Sequence, residues 1–216
     1  MEIAFRLIFF VAHAIYSWKE ERKVRLSYYG DHNFRRCDRD FKRRYRWLNP
    51  YRISKKFLSS KGERDIHTYG ETPLTSLERI GRKLALKEGD LFLDLGCGRG
   101  RGVFFIHHLF GCRAVGVDWV PMFIEIAKTI LCPVDFLCCG MECAPIREAS
   151  AIYIAWTCME ERMGIEEALR EAKPGTRVAT VSYPISSKDF IRTGSLFISF
   201  PWGEGEVFFH ERKNES

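Results

Sequence analysis

The stretch that most constrains the fold is residues 91–102, LFLDLGCGRGRG. Its first three residues are apolar without alternation, which is typical of a parallel strand buried on both faces, and we predict that this strand ends at Asp94. Glycine then stands at every second position from Gly96 to Gly102, and the apolar residues 103–110 predict a helix. A strand, a glycine-rich turn and a helix suit a nucleotide-type cofactor, because glycines permit close backbone approach and helix N-termini offer free N–H groups.

Two known motifs compete for this turn. The dinucleotide motif G-x-G-x-x-G needs glycine where Arg101 stands. The turn instead resembles the first motif of class I S-adenosylmethionine-dependent methyltransferases, close to D-x-G-x-G-x-G, which is matched by Asp94, Gly96, Gly98 and Gly100. A second strand, RAVGVD, ends in Asp118, 24 residues after Asp94 (118 − 94 = 24). The resemblance implies S-adenosylmethionine as the cofactor, with Asp118 accepting its ribose hydroxyls; a purely structural turn is the alternative.

The loop before the preceding helix carries a second resemblance. Residues 69–72 read Y-G-E-T and are followed by a helix and then the glycine-rich turn. This order is similar to that of the non-SET histone-lysine methyltransferases, in which such a loop closes over the methionine end of the cofactor. Small bacterial and mitochondrial lysine methyltransferases are a more distant resemblance. The simpler interpretation is a helix cap, with Thr72 as N-cap and Pro73 in the first turn of a helix over residues 73–84.

These resemblances imply a set of site residues. The cofactor site is predicted to contain Tyr69, Glu71, Thr72, Asp94, Gly96, Cys97, Gly98, Gly100, Asp118, Trp119 and Glu142. Glu142 follows the third strand, VDFLCC, where an acid commonly accepts the adenine amino group. Tyr69, Glu71 and Trp156 are predicted as catalytic residues, with Tyr183 as a further wall of an acceptor channel. No metal site is predicted.

The segment after the fourth strand departs from the histone-type pattern. That family has an asparagine-rich segment where this chain has Ala155, Trp156, Thr157 and Cys158, and the N/D-P-P-Y/F signature of adenine methylation is also absent. The sequence therefore identifies the methyl acceptor less closely than it identifies the cofactor. We predict methylation of a protein lysine; the alternative is an RNA methyltransferase, in which Cys158 could attack a pyrimidine covalently. A non-catalytic binding module would require a broken glycine motif, and the motif is intact.

The remaining pattern predicts the fold class. Strands are expected at residues 113–118, 134–139, 151–156 and in KPGTRVATVSYPI, with helices at 121–130 and 160–172. The segments SLFISFPW and GEVFFHER predict a terminal hairpin, separated by Gly203 and Gly205. Together these elements make an α/β fold, a Rossmann-like seven-strand sheet with helices on both faces and an N-terminal helical extension.

Charge divides the chain at about residue 64. Residues 1–64 hold 17 Lys and Arg against 7 Asp and Glu, and residues 65–216 hold 17 against 21, so that the net charges are +10 and −4. We therefore predict a basic extension (1–64) and a methyltransferase domain (65–216), with an anionic membrane or nucleic acid contacting residues 19–64. The eight cysteines include no C-x-x-C pair, so reduced thiols in a cytoplasmic enzyme are expected.

Two segments of the extension have alternative interpretations. Residues 3–16 are apolar apart from Arg6 and His13, which is shorter than a membrane-spanning helix needs. A packed or interfacial helix is favoured there, with a membrane anchor over residues 3–18 or a cleaved signal as alternatives. Residues 35–56 interleave arginines with aromatic residues, and Asn49 and Pro50 are predicted to end a helix. Packing of those aromatic residues against the catalytic domain is favoured over a nucleic-acid or membrane platform.

Overall fold

The computed structural model describes residues 2–155, 159–201 and 203–214 of the chain. Within them the α-helices are α1 (Glu2–Tyr28), α2 (His32–Arg44), α3 (Pro50–Lys61), α4 (Leu74–Lys83), α5 (Arg101–Phe110), α6 (Pro121–Lys128) and α7 (Met159–Leu169). The strands are β1 (Leu91–Leu95), β2 (Arg113–Asp118), β3 (Asp135–Cys138), β4 (Ala151–Ala155), β5 (Arg177–Val181), β6 (Phe190–Phe200) and β7 (Gly203–Arg212). Short 3₁₀ turns cover Met141–Cys143 and Ile146–Glu148.

The seven strands form one mixed sheet in the order β3-β2-β1-β4-β5-β7-β6. Strands β1 to β5 are parallel, and β7 runs antiparallel between β5 and β6. The predicted Rossmann-like fold is confirmed. Strand β1 continues one residue past Asp94, to Leu95, because Leu95 still pairs with Val117 and Ile154. The terminal hairpin is also present, but Gly203 begins β7 and Gly205 lies within it, so these glycines do not separate the two strands as predicted.

Helices cover both faces of the sheet, as predicted. Along β1, Phe92 packs into a core shared with α4, α5 and α6, whereas Leu91, Leu93 and Leu95 pack into a second core shared with α7. Alternate residues of a strand point to opposite faces, so an unbroken apolar strand is what a sheet with two covered faces requires.

The N-terminal helices pack on the first of these cores. Val24 of α1 and Phe34 and Phe41 of α2 are buried together with Phe104 and Phe105 of α5. Phe41 and Tyr45 are buried, which agrees with the favoured interpretation of the aromatic residues, but Trp47 is 88% exposed and Tyr51 is also exposed. The extension therefore packs against the helices on this face of the sheet rather than standing free of it.

Two predicted boundaries in the extension are wrong or incomplete. Asn49 and Pro50 begin α3 rather than ending the preceding helix, because the Asn49 side chain accepts a hydrogen bond from the Arg52 N–H and Pro50 takes the first helical position. The apolar segment 3–16 belongs to one helix, α1, which runs on to Tyr28. Among the described residues, no helix combines the length and the apolar character needed to cross a bilayer.

Candidate cofactor and acceptor site

A cleft opens where the order of the parallel strands reverses, at the carboxyl ends of β1, β2 and β4. In open α/β sheets this switch point is the usual place for a ligand. The cleft encloses about 1130 Å³ of empty space, part of it open to solvent. The described residues that line it are Ser54, Leu58, Thr68, Tyr69, Gly70, Gly96, Gly98, Asp118, Trp119, Val120, Phe123, Cys139, Gly140, Met141, Glu142, Ala155, Gly164 and Ile165.

The glycine-rich turn forms the floor of the cleft. The N–H groups of Gly96 and Cys97 both donate to the carbonyl of Val117, at 2.8 and 3.0 Å, which holds the turn against the end of β2. Gly96 and Gly98 have φ of +81° and +53°, in the left-handed region where glycine is favoured. A Cβ on Gly98 would stand 3.2 Å from the ring of Tyr69. The turn therefore excludes side chains at these two positions.

Asp118 closes the end of β2 and belongs to the cleft wall. Its Oδ2 accepts the N–H of Gly98 and its Oδ1 accepts the N–H of Val120, each at 2.9 Å. Burial raises the pKa of Asp118 to about 6, although the two backbone N–H groups act in the opposite direction. Each carboxylate oxygen has a second lone pair. Asp118 can therefore orient the glycine turn and still accept hydroxyl groups of a ligand.

Asp94 lies inside β1, below the cleft rather than in its lining. It is only 6% exposed, and its Oδ2 lies 3.4 Å from the position that a Cβ on Gly102 would take, at the first turn of α5. Burial raises the pKa of Asp94 to about 7, and the charge of Asp118 adds to the shift. Asp94 thus lies beneath the first turn of α5.

Tyr69 brings the predicted loop over the glycine turn. Its ring packs against Gly98, and its centroid lies 5.3 Å from that of Phe123 and 5.2 Å from that of Tyr51. Its hydroxyl donates to Glu71 at 2.5 Å. Burial, followed by the charge of Glu71, raises the pKa of Tyr69 well above its ordinary value. Tyr69 is therefore a protonated aromatic wall of the cleft.

Glu71 is held by an arginine of the turn itself. Arg99 donates from Nε to Oε1 at 2.6 Å and from Nη2 to Oε2 at 2.5 Å, a bidentate pair. Burial acts to raise the pKa of Glu71, but the hydrogen bonds and charge of Arg99 outweigh it and hold that pKa below its usual value. Glu71 is not among the described residues that line the cleft; it ties the loop to the turn.

The N-terminal helices immobilise both arginines of the turn. The Arg99 guanidinium lies over the rings of Phe41 and Tyr45, at 4.8 and 4.7 Å. Arg101, the first residue of α5, binds the buried carboxylate of Asp38 at 2.7 Å and Glu21 at the same distance. Sequence reasoning missed these contacts, because the extension is basic overall and nothing in its sequence indicates which of its few acidic residues pair with Arg101.

Thr72 has a different role from the predicted N-cap. The N-cap of α4 is Pro73, without a side-chain cap hydrogen bond, and the helix begins at Leu74. The Thr72 hydroxyl instead forms a 2.6 Å hydrogen bond with the hydroxyl of Tyr153 on β4. Since Tyr153 is buried, this bond satisfies a polar group in the core and anchors the end of the loop.

Trp119 and Glu142 line the opposite end of the cleft, near the ends of β2 and β3. Trp119 is partly exposed and meets Phe57 of α3 edge-on at 5.3 Å. Glu142 lies in a 3₁₀ turn, with its carboxylate folded back against Gly140. Both predicted residues are therefore available to a ligand that reaches this end.

Several other predicted residues lie outside the lining. The Cys97 thiol faces Gly116 of β2, and Gly100 is the N-cap of α5, packed on Phe136. Tyr183 follows β5 and is not among the described lining residues. Trp156, Thr157 and Cys158 fall outside the described residues.

Sequence reasoning missed the contribution of α3. Ser54 and Leu58 are buried on the inner face of this helix and line the cleft. The four-residue spacing of Ser54 and Leu58 places them on one helix face, and this spacing is the sequence feature that could have indicated a shared buried surface. The extension therefore supplies part of the cleft wall.

Comparison with known proteins agrees with this geometry. Residues 92–176 match the family model described as a methyltransferase domain. No curated protein is similar enough to the chain to count as a relative. The match covers 85 of the 216 residues, and the observed fold agrees with the methyltransferase domain that the sequence predicts.

Solved structures with this fold differ in what they act on. An RNA methyltransferase from Salinibacter ruber, in complex with S-adenosyl-L-homocysteine, is 21% identical with a TM-score of 0.59, over 68% of this chain and 95% of that chain. TrmN from Thermus thermophilus is 15% identical with a TM-score of 0.55, over 65% and 49%. Magnesium protoporphyrin IX methyltransferase from Synechocystis, with bound SAH, is 11% identical with a TM-score of 0.53, over 65% and 83%. At these identities the likeness concerns the fold.

We expect Asp118→Asn to weaken S-adenosylhomocysteine binding at least tenfold, about 1.4 kcal/mol or more. An amide offers one acceptor oxygen where the carboxylate offers two, so Gly98 or Val120 loses its partner along with any ligand hydroxyl. Isothermal titration calorimetry measures the effect. Asp90→Asn is the matched control, since Asp90 is also buried and accepts the Lys87 N–H, but at the opposite end of β1. Equal losses in the two variants would contradict the ribose role of Asp118.

Proposed function

We propose that this protein transfers the methyl group of S-adenosylmethionine to a lysine side chain of a protein substrate. The observation that carries this proposal is the position of the loop at residues 69–72. It is locked to the glycine turn by the Glu71–Arg99 pair, and it places the ring of Tyr69 in the cleft wall beside Gly98. These contacts support the proposal that the loop acts as the lid that the resemblance to lysine methyltransferases implies.

The residues of the cleft fit the proposed cofactor. Gly96 and Gly98 provide a floor without side chains, and Asp118 has free lone pairs for ribose hydroxyls. Trp119 and Glu142 would offer an adenine ring a flat surface and a hydrogen-bond acceptor. When bound, S-adenosylmethionine supplies a methyl group already activated on a sulfonium. The protein then contributes mainly orientation and exclusion of water.

A lysine acceptor must reach the cleft as a neutral amine. Apolar and aromatic surroundings lower the pKa of an amine by disfavouring its charged form, and the walls near the loop include Tyr69, Phe123 and Ala155. Tyr69 stays protonated and donates a hydrogen bond to Glu71. It therefore shapes the acceptor channel rather than acting as a base. Deprotonation would then rest on desolvation and on water.

RNA is the second candidate acceptor, favoured by the outer face of α3. Ser54 and Leu58 face the cleft, while Arg52, Lys55 and Lys56 on the same helix are exposed. A basic helix at the mouth of a cleft can hold phosphates near a reacting group. Exposed Trp47 and Tyr51 offer stacking surfaces beside it.

A labelling experiment distinguishes the two acceptors. The full-length protein is incubated with methyl-labelled S-adenosylmethionine and host-cell lysate, and the labelled product is treated separately with RNase and with protease. The lysine proposal expects label that survives RNase, is lost with protease and is recovered as methyl-lysine after acid hydrolysis. Label removed by RNase, together with an inactive Cys158→Ser variant, would overturn the lysine proposal and favour covalent RNA methylation.

We expect Glu71→Gln to lower turnover about tenfold while changing cofactor affinity much less. Glutamine keeps one acceptor for Tyr69 but loses the charge that pairs with Arg99, so the loop is less firmly held over the turn. Glu78→Gln is a close control, because Glu78 also accepts a tyrosine hydroxyl, that of Tyr28, and pairs with an arginine, Arg82, away from the cleft. Steady-state kinetics should show the loss in kcat only for Glu71→Gln. A similar loss in both variants would make the effect one of general stability.

A further inference from the structure

Three potential metal-ligand atoms meet outside the cleft. They belong to Cys37 on α2, His108 on α5 and Cys132 in the connection from α6 to β3, and all lie within 4.8 Å of one another. The Cys132 Sγ and the His108 Nε2 are 3.4 Å apart. Three separate elements therefore bring two thiols and an imidazole close together.

The spacing of these atoms suits a tetrahedral ion. In a tetrahedral site, Zn–S bonds of about 2.3 Å and Zn–N bonds of about 2.0 Å place sulfur and nitrogen roughly 3.5 Å apart and two sulfurs roughly 3.8 Å apart. The observed distance of 3.4 Å between the Cys132 sulfur and the His108 nitrogen is close to the sulfur–nitrogen value. The other pairs of donor atoms lie within 4.8 Å of each other, so small rotamer changes would bring them to the distances that zinc requires. Cys37 is 3% exposed, so the point is shielded by protein on the side of α2.

The other nitrogen of His108 faces a carboxylate, at a distance somewhat longer than a hydrogen bond. Its Nδ1 lies 3.7 Å from Oδ2 of Asp31, while Oδ1 of Asp31 caps α2 by accepting the N–H groups of Asn33 and Phe34. A carboxylate facing Nδ1 favours the tautomer with its proton there and leaves the lone pair of Nε2 toward the thiols. Metal-ligating histidines commonly carry such a carboxylate partner.

We propose that Cys37, His108 and Cys132 bind a zinc ion, with a water molecule at the fourth position. Two thiolates and an imidazole in a tetrahedral arrangement favour zinc over harder cations such as magnesium. On binding, each thiol releases its proton to solvent, two sulfur–zinc bonds and one nitrogen–zinc bond form, and no oxidation is involved. The ion would join the N-terminal helices to α5 and to the connection before β3.

The sequence could not indicate this site. The ligands stand 71 and 24 residues apart (108 − 37 and 132 − 108), and no two of them form a short ligand motif. They meet because α2 packs against α5 and the connection from α6 to β3 passes beside both helices.

The first test is a zinc titration of the purified, reduced, full-length protein after treatment with a chelator. A chromogenic competitor should report one zinc per chain. Cobalt in place of zinc should give a thiolate-to-metal charge-transfer band, which identifies sulfur ligands. Alkylation mapped by mass spectrometry should show Cys37 and Cys132 protected by zinc and the exposed Cys143 unprotected.

Variants then assign the ligands. Cys37→Ser and Cys132→Ser should each lose the cobalt charge-transfer intensity of one thiolate and bind zinc at least a hundredfold more weakly. Asp31→Asn should weaken zinc binding about tenfold or more, because it removes the partner of His108 while asparagine still caps α2. Cys143→Ser is the matched control and should bind zinc as the parent does.

Three results would overturn the proposal. The first is a parent protein that takes up no zinc or gives no sulfur-to-cobalt band. The second is binding that Cys37→Ser and Cys132→Ser leave unchanged. The third is a Cys37–Cys132 disulfide that forms in air and persists when zinc is supplied with reductant, since a disulfide has no thiolate to give. The alkylation pattern of the parent protein decides the matter even where a variant fails to fold.

Discussion

Gly96→Arg is expected to weaken S-adenosylhomocysteine binding more than a hundredfold, to the limit of calorimetric detection. Gly96 lines the cleft with φ of +81°, and a Cβ there would stand 2.8 Å from the terminal methyl of Met141, which lines the same cleft. A longer side chain must therefore either occupy the cofactor space or displace the turn. A left-handed conformation at a residue with a side chain also costs about 1–2 kcal/mol.

A matched variant separates these two effects. Gly111, at the end of α5, has φ of +66° and open space where its Cβ would stand. Gly111→Arg should lower the thermal stability by a similar amount and leave cofactor binding unchanged. If both variants lost binding equally, strain transmitted through α5 would explain the result, and the cleft would not be the cofactor site.

The second large effect concerns pH. The stability of the protein should fall as the pH rises from about 4 to above 7, relative to Asp94→Asn, by up to about 4 kcal/mol. The folded protein raises the pKa of Asp94 to about 7 through burial and the charge of Asp118, whereas the unfolded chain has an ordinary aspartate. The contribution of the protonated carboxyl is therefore complete below the unfolded pKa of about 3.9 and is lost as the pH passes the folded value.

Urea denaturation of the two proteins across pH 4–8 measures this difference. Asparagine is neutral throughout, so the curve for Asp94→Asn should lack the contribution of residue 94. Asp135→Asn, at an exposed aspartate on the same sheet, should keep the pH dependence of the parent. Parallel curves for the parent and Asp94→Asn would show that Asp94 ionises in the folded protein as easily as in the unfolded chain.

The predicted elements of the sheet are largely those observed. Strands such as RAVGVD are short, apolar and followed by turn residues, so their pattern is local and the structure reproduces Arg113–Asp118 without change. The local pattern is ambiguous where two elements meet. Asn49 and Pro50 carry both a helix-ending and a helix-starting signal, and the chain uses the second because α2 already ends at Arg44.

The sequence predicts the glycine turn and Asp118 of the candidate site but not the residues that α3 contributes. Gly96, Gly98 and Asp118 were found because a motif joins them in sequence, and the structure places all three in the cleft. Glu71 is predicted near the cofactor, and the structure shows it paired with Arg99 of the glycine turn and not among the described residues that line the cleft. Ser54 and Leu58 were not predicted, because α3 reaches the cleft only by the packing of the extension.

The sequence by itself determined the glycine turn, its acidic neighbours and the α/β order, because these depend on backbone conformation and on the period of apolar residues. Tertiary structure alone decided where the basic extension goes. The extension packs on α5, and its side chains bind Arg99 and Arg101. Its helix α3 lines part of the cleft, and α2 places Cys37 beside His108 and Cys132. The physical reason is that these contacts join residues far apart in the chain, so their stability comes from shared burial and paired charge, which no local pattern records.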